Sequence, residues 1–346
     1  MAKKVRKIAT EEAWVTPEIA AELKKIANSP TQALDRFQLK GIYDAENDKT
    51  TGYGKYNFLA GLLDAEGERL RQMDELGIDM HLLSLTAPGV QMFDADTACE
   101  MAALSNDRIA ELCRKYPKRF TGLASFAPHS PKRAAREIER AIRQLKLNGL
   151  IVNSHTYGEY LDDPKYWPIF EAAEAMDACI YVHPRCPSDT LKGPMQHYAM
   201  DTTVWGFGIE AGTHAVRIMA GGVFDAFPKL KICLGHLGEA LPFWIWRIDF
   251  MSARGQAQNW AKKTKRRMGE YLKDNFVFTT SGMEDPLALR YTIDKMGIDN
   301  VMWAIDYPYQ PMKPALDFIE NFACTEAEMH ALCHGNAERV FHIDPL

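Results

Sequence analysis

Short apolar runs alternate with longer amphipathic stretches from one end of the chain to the other. The runs are KIATEEAW (7–14), HLLSLTAP (81–88), FTGLASFAP (120–128), GLIVNSH (149–155), ACIYVHP (178–184), KICLGHLGE (231–239), FVFTTSG (276–282) and VMWAIDYP (301–308). Each has strand length, is nearly continuous in apolar character and is bounded by Gly, Pro or polar residues. That is the pattern of strands covered on both faces in a parallel sheet. Segments such as GERLRQMDELGI (67–78) and PKRAAREIERAIRQLKLN (131–148) separate them. In the second, Ala134, Ile138, Ala141, Ile142 and Leu145 fall near helical spacing, with charge on the opposite side. Eight strands alternating with helices predict an α/β fold, a (β/α)8 TIM barrel. A doubly wound open sheet is the alternative, but no Gly-rich phosphate loop follows the first strand.

Two stretches exceed ordinary connections: residues 15–65, with the polar segment AENDKTTGYGKY (45–56), and residues 185–225. They are expected to be long lid loops after strands 1 and 5, since loops at that end of a barrel cover its active site. No internal repeat or low-complexity segment interrupts the chain, so residues 1–346 are expected to form a single barrel domain.

Composition narrows the function classes. Hydrophobic residues make up 47% and charged residues 25% of the 346, an ordinary globular balance. A net charge of -5 argues against a nucleic-acid or anionic-membrane partner. The one dense basic patch, KKTKRR (262–267), reads as a solvated helix face. No run of transmembrane length appears, and MAKKVRK is not followed by the apolar core of a secretory leader. The seven cysteines form no CxxC pair and are expected to be reduced thiols in a cytoplasmic protein. Cys186, three residues past His183, is a candidate ligand or nucleophile whose alternative is an inert buried thiol.

Polar groups gather where the apolar runs end. The first run offers Glu11 and Glu12, the fourth Asn153 and His155, the fifth His183, the sixth His236 and Glu239, the seventh Ser281, and the eighth Asp306 followed by Tyr309. Such residues carry a desolvation cost unless they are paired or bound to a metal. In a closed parallel barrel all strands end on one face, so Glu11, His183 and Asp306 together can seat one divalent cation. His236 and Glu239 stand three residues apart and suit a hydrogen-bonded pair, either catalytic or bracing the turn.

IATEEAW, IVNSH, YVHP, GHLGEALPFWIWRID (235–249) and AIDYPYQ (304–310) together resemble the amidohydrolase-related decarboxylases. This family includes enzymes acting on γ-resorcylate, 2,3-dihydroxybenzoate, aminocarboxymuconate semialdehyde and 5-carboxyvanillate. The EEA start and the DYPYQ end look most like the last of these. The resemblance implies metal ligands at Glu11, His183 and Asp306. Ala13 stands where many relatives carry a strand-one histidine, and the oxygen-rich set favours Mn²⁺, with Mg²⁺ or Zn²⁺ as alternatives and no organic cofactor.

The resemblance further implies catalytic roles for Asp306, His236 and Glu239, and substrate contacts from Arg247, Asn153 and Tyr309. Trp14 is a candidate to stack on a substrate ring. In relatives the arginine can come from a neighbouring subunit, which points to a homodimer or homotetramer. The relatives' arginine in the loop after strand one is absent from TTGYGKYNF (50–58), leaving Lys55. Either Lys55 replaces it or the substrate lacks a second anionic group. The implied reaction is nonoxidative decarboxylation of an ortho-hydroxylated aromatic acid, such as 5-carboxyvanillate or a dihydroxybenzoate. Protonation of a ring carbon would precede loss of CO2. The alternatives are a metal-dependent hydrolase or hydratase of a lactone or cyclic diketone, and a non-catalytic metal-binding protein.

Overall fold

The structure is a computed structural model that describes residues 5–29, 35–44, 46 and 56–345, without the side chains of residues 36 and 37. Eight parallel strands run in sequence order around one sheet. They are β1 (Ile8–Trp14), β2 (Met80–Leu85), β3 (Phe120–Ser125), β4 (Gly149–Asn153), β5 (Ile180–His183), β6 (Ile232–Leu234), β7 (Phe276–Thr279) and β8 (Val301–Met302). Backbone bonds from Thr10 N to Trp303 O (3.2 Å), Ala13 N to Tyr307 O (2.8 Å) and Asp306 N to Glu11 O (3.0 Å) join the last strand region back to the first. The α/β barrel read from the hydrophobic pattern is the fold observed.

Alternation along the strands sorts side chains into two layers. Ile8, Met80, Leu82, Leu123, Ile151, Tyr181, Val277 and Met302 point inward and pack beneath Phe341 of the C-terminal segment. Outward residues such as Leu150, Val152, Ile180 and Leu234 meet the helices. Each large apolar side chain so buried stabilises the fold by roughly 1.5–3 kcal/mol. A Cβ on Gly122 would lie 2.1 Å from Ile109, so only glycine lets the helix Ala95–Lys115 rest directly on β3.

The long connection after β1 is more ordered than a loop. It contains the helices Pro17–Asn28, Arg36–Tyr43, Phe58–Leu63 and Glu68–Leu76, the first capped by Thr16. Most of the polar segment 45–56 lies outside the described residues. After β5, short helical turns lead into the helix Gly206–Ala220. KKTKRR is not a helix face. It connects the helices Leu241–Ala257 and Met268–Asn275, and Lys262 and Lys265 donate to the carbonyls of Gly221 and Asp225. All seven cysteines are free, and among the described residues no helix is long and apolar enough to cross a membrane.

Candidate active site

A register shift in β1 between Ala9 and Glu12 gives two neighbouring glutamates different tasks. Glu12 accepts from the backbone N–H groups of Ile305 (3.1 Å) and Tyr307 (3.2 Å) and so staples the end of the barrel. Glu11 turns into the mouth, where its Oε2 accepts from Tyr181, Ser281 and Thr279, the last at 2.9 Å. A Cβ on Gly235 would lie 2.9 Å from that oxygen, so the cradle closes only around glycine. The other oxygen, Oε1, is buried without a hydrogen-bond partner among the described residues and lies 3.4 Å from His183 Nε2.

His183 ends β5. Its Nδ1 lies 2.7 Å from the Pro184 carbonyl, which can only accept, so Nδ1 carries the proton and Nε2 offers a lone pair. Asp306 follows β8 with a left-handed backbone (φ 76°), held by the bond from its N–H to Glu11 O. One ligand atom each from Glu11, His183 and Asp306 fall within 4.8 Å of one another. Burial opposes charge on Glu11, but the adjacent His183 ring, the His236 charge and the Ser281 hydroxyl outweigh it and hold this carboxyl low. Asp306 moves the other way, pushed up by burial and by the neighbouring Glu11 charge. An orphaned carboxylate oxygen, a free imidazole nitrogen and a second acid repelled by the first are a donor set that a divalent cation completes.

Beside this seat the segment after β6 runs through five successive left-handed residues, from His236 to Ala240. Only Gly238 does so without steric cost, and a Cβ there would lie 2.7 Å from Phe278. The turn folds Glu239 back onto His236, with Oε1 2.8 Å from Nδ1. Burial disfavours charge on the ring, yet the Glu239 carboxylate, with Glu11 and Asp306 beyond, raises its pKa to about 10. His236 is therefore cationic near neutrality. It lines a cavity of ≈ 450 Å³ together with His183, Asp306 and Tyr309.

That cavity is walled by parts of both long connections: Gln38, Ile42 and Phe58 after β1, and Val204, Trp205 and Phe207 after β5. The Tyr309 hydroxyl is anchored to Thr86 Oγ1 at 2.7 Å. Three sequence expectations find a different setting. Trp14 turns outward at the end of β1 into the layer between sheet and helices, beside a surface groove with Asp64, Glu66, Arg108 and Lys115, and does not face the cavity. Asn153 pairs in register with His183 but is buried under Gly89, its Nδ2 directed at Leu85 O (3.4 Å), and does not line the cavity. Arg247 is exposed on the helix Leu241–Ala257 and does not reach the cavity of its own chain. Lys55 lies outside the described residues.

His155 and His214 are satisfied within the frame. His155 bonds Gly158 N and Cys186 O at 3.1 Å each, and His214 bonds Leu161 N and Ser154 Oγ, also at 3.1 Å. Burial pushes the Cys186 thiol well up, which fits the inert reading. Sequence reasoning missed Tyr181 and Thr279, and named Ser281 without a role. The signal was present, because Tyr181 stands two residues before His183 and Thr279 two before Ser281, and alternate residues of a strand share a face.

Comparison with known proteins agrees with this architecture. The amidohydrolase family pattern matches residues 62–343. The γ-resorcylate decarboxylase of Polaromonas sp. is 38% identical over 82% of this chain and 89% of its own length. The crystal structure of 5-carboxyvanillate decarboxylase from Sphingomonas paucimobilis superposes with a TM-score of 0.94 at 47% identity, covering 99% of this chain and 100% of that one. The corresponding enzyme of Novosphingobium aromaticivorans, solved with manganese and 4-hydroxy-3-methoxy-5-nitrobenzoic acid, gives 0.92 at 36% identity, covering 98% and 96%. The chain belongs to the amidohydrolase family, among its decarboxylase relatives.

Proposed function

We propose that this protein is a divalent-metal-dependent, nonoxidative decarboxylase of an ortho-hydroxylated aromatic acid. The observation that carries the reading is an acid, Asp306, sharing one seat with Glu11 and His183 on the wall of a largely apolar cavity. Glu11, His183 and Asp306 would hold the cation, manganese by likeness to the relatives, and it would supply Lewis-acid stabilisation of the substrate's negative charge. The chain's residues do the rest. Asp306 delivers a proton to the ring carbon that bears the carboxylate, forming the C–H bond. The C–C bond then breaks, its electron pair returns to the ring and CO2 leaves as aromaticity is restored. His236 donates a hydrogen bond from its cationic ring to a substrate oxygen, and Glu239 maintains that charge and orientation. Tyr309 closes the cavity beside the ring.

Arg247 enters this reading from a second copy of the chain. It shares its helix with Phe243, Trp244, Trp246 and Phe250, each more than half exposed. A contiguous aromatic face of this kind marks an interface, and the reading takes it as that of a homodimer or homotetramer. Free cysteines fit a cytoplasmic enzyme. The test is release of CO2 or bicarbonate from a panel of phenolic acids by Mn²⁺-loaded protein, run beside ring opening of lactones. Turnover of a phenolic acid is the expected result. Lactone turnover with every phenolic acid inert would replace the reading with a hydrolase.

A further inference from the structure

His330 and His334 are two imidazoles that the chemistry at the barrel mouth leaves unused. The helix Glu326–His330 passes without a break into a π-helical turn, Ala331–Gly335, and then into the helix Asn336–Val340. Such wide turns are rare and gather at functional sites. Across this one, His330 Nδ1 lies 3.1 Å from His334 Nε2, and both residues are half-buried.

In the free protein that separation is a hydrogen bond between the rings. It is also the separation of two ligands on one cation. With metal–nitrogen bonds of about 2.0–2.1 Å, nitrogens 3.1 Å apart subtend an angle of about 100° at the metal, between the octahedral and tetrahedral values. The proton inventory fits the second use. His334 Nδ1 stands 3.2 Å from Glu338 Oε2, and Arg6 Nη1 donates to Glu338 Oε1 at 2.5 Å. The carboxylate favours a proton on His334 Nδ1 and leaves the Nε2 lone pair facing His330. Metal-bound histidines draw the same support from an outer acid. Loading then requires only that the His330 proton move from Nδ1 to Nε2.

The pair is remote from Glu11, His183 and Asp306. Arg6, which holds Glu338, precedes β1, so it marks the end of the barrel opposite the mouth. Among the described residues no third acid, thiol or imidazole joins the two rings closely enough to complete a three-ligand group, so water fills the remaining positions. Two neutral nitrogens suit Zn²⁺, Ni²⁺ or Cu²⁺, whereas Mn²⁺ and Mg²⁺ favour the oxygen-rich seat at the mouth. We propose that His330 and His334 form a second cation site, specific for these nitrogen-seeking metals, that staples the π-helical turn leading to Phe341. The site is independent of the decarboxylase reading.

The experiment titrates Ni²⁺ into the Mn²⁺-loaded full chain, with binding followed by calorimetry and retained Mn²⁺ by electron paramagnetic resonance. Wild type is expected to take up one Ni²⁺ without releasing Mn²⁺, and its Tm should rise as it does so. His330→Ala and His334→Gln should each lose this binding and the accompanying Tm shift. Glu338→Gln should weaken it by about tenfold to a hundredfold. His342→Ala, which removes an exposed imidazole outside the pair, should leave it unchanged. Undiminished uptake in either ring variant would overturn the proposal, as would uptake only in exchange for Mn²⁺ or an equal loss in His342→Ala. If His334→Gln lowers Tm before any Ni²⁺ is added, His330→Ala decides the question.

Discussion

At the floor of the barrel, Ile8, Met80, Leu82, Ile151, Val277 and Met302 fill the space under Phe341 with apolar side chains. At the mouth, the same strands end in Glu11, His183 and the segments carrying His236 and Asp306, with left-handed backbone and an unpartnered carboxylate oxygen. Tyr181 joins the two, its ring in the apolar floor and its hydroxyl on Glu11. The floor obeys the ordinary rules of packing and satisfied polarity, and the mouth departs from them at each proposed catalytic residue. The departures are local because the floor is not. A rigid apolar plug can hold strained turns and repelling carboxylates in place.

The sharpest way to break this contrast is to empty the mouth. Chelation should abolish turnover, and Mn²⁺ should restore it. Manganese at one hundred times its Kd should stabilise the fold by about 2.7 kcal/mol, read as a rise in Tm. Next comes Asp306→Asn, expected to lower kcat by about 10²–10⁴-fold with folding intact by circular dichroism. A variant that kept full activity would remove the proposed proton donor.

The floor should answer in the opposite currency. Phe341→Ala should cost about 3–5 kcal/mol in denaturant unfolding while the molecules still folded keep their KM. Glu239→Gln tests the electrostatics of the mouth. The charged-ring contribution of His236 is complete below the ordinary histidine value near 6.5 and fades as pH rises through about 10. Without the carboxylate, the alkaline limb of the kcat/KM profile should move down toward neutrality, with little change at acid pH. An unmoved limb would separate His236 from the pair. Trp14→Phe should be mildest, shifting KM less than about twofold, because this ring packs outside the cavity.

Both ends were legible in the sequence to different depths. The eight apolar runs mark where strands lie, although every run but the first continues past its strand; VMWAIDYP yields only Val301–Met302 before the chain turns toward Asp306. Glu11, His183 and Asp306 could be read because polar residues ending apolar runs are conspicuous. Trp14 was misplaced because the irregularity in β1 changes which way the strand end faces, and a bulge leaves no mark in hydrophobic periodicity.

The single-residue slip in β1 also bears on how such a site changes over time. Two adjacent acids face different surroundings, one gripping main-chain amides and the other waiting for a cation. A deletion that removed the slip would exchange their surroundings without altering either side chain. New coordination chemistry is then reachable by shifting the frame of one strand, a route that comparing residue types column by column would overlook.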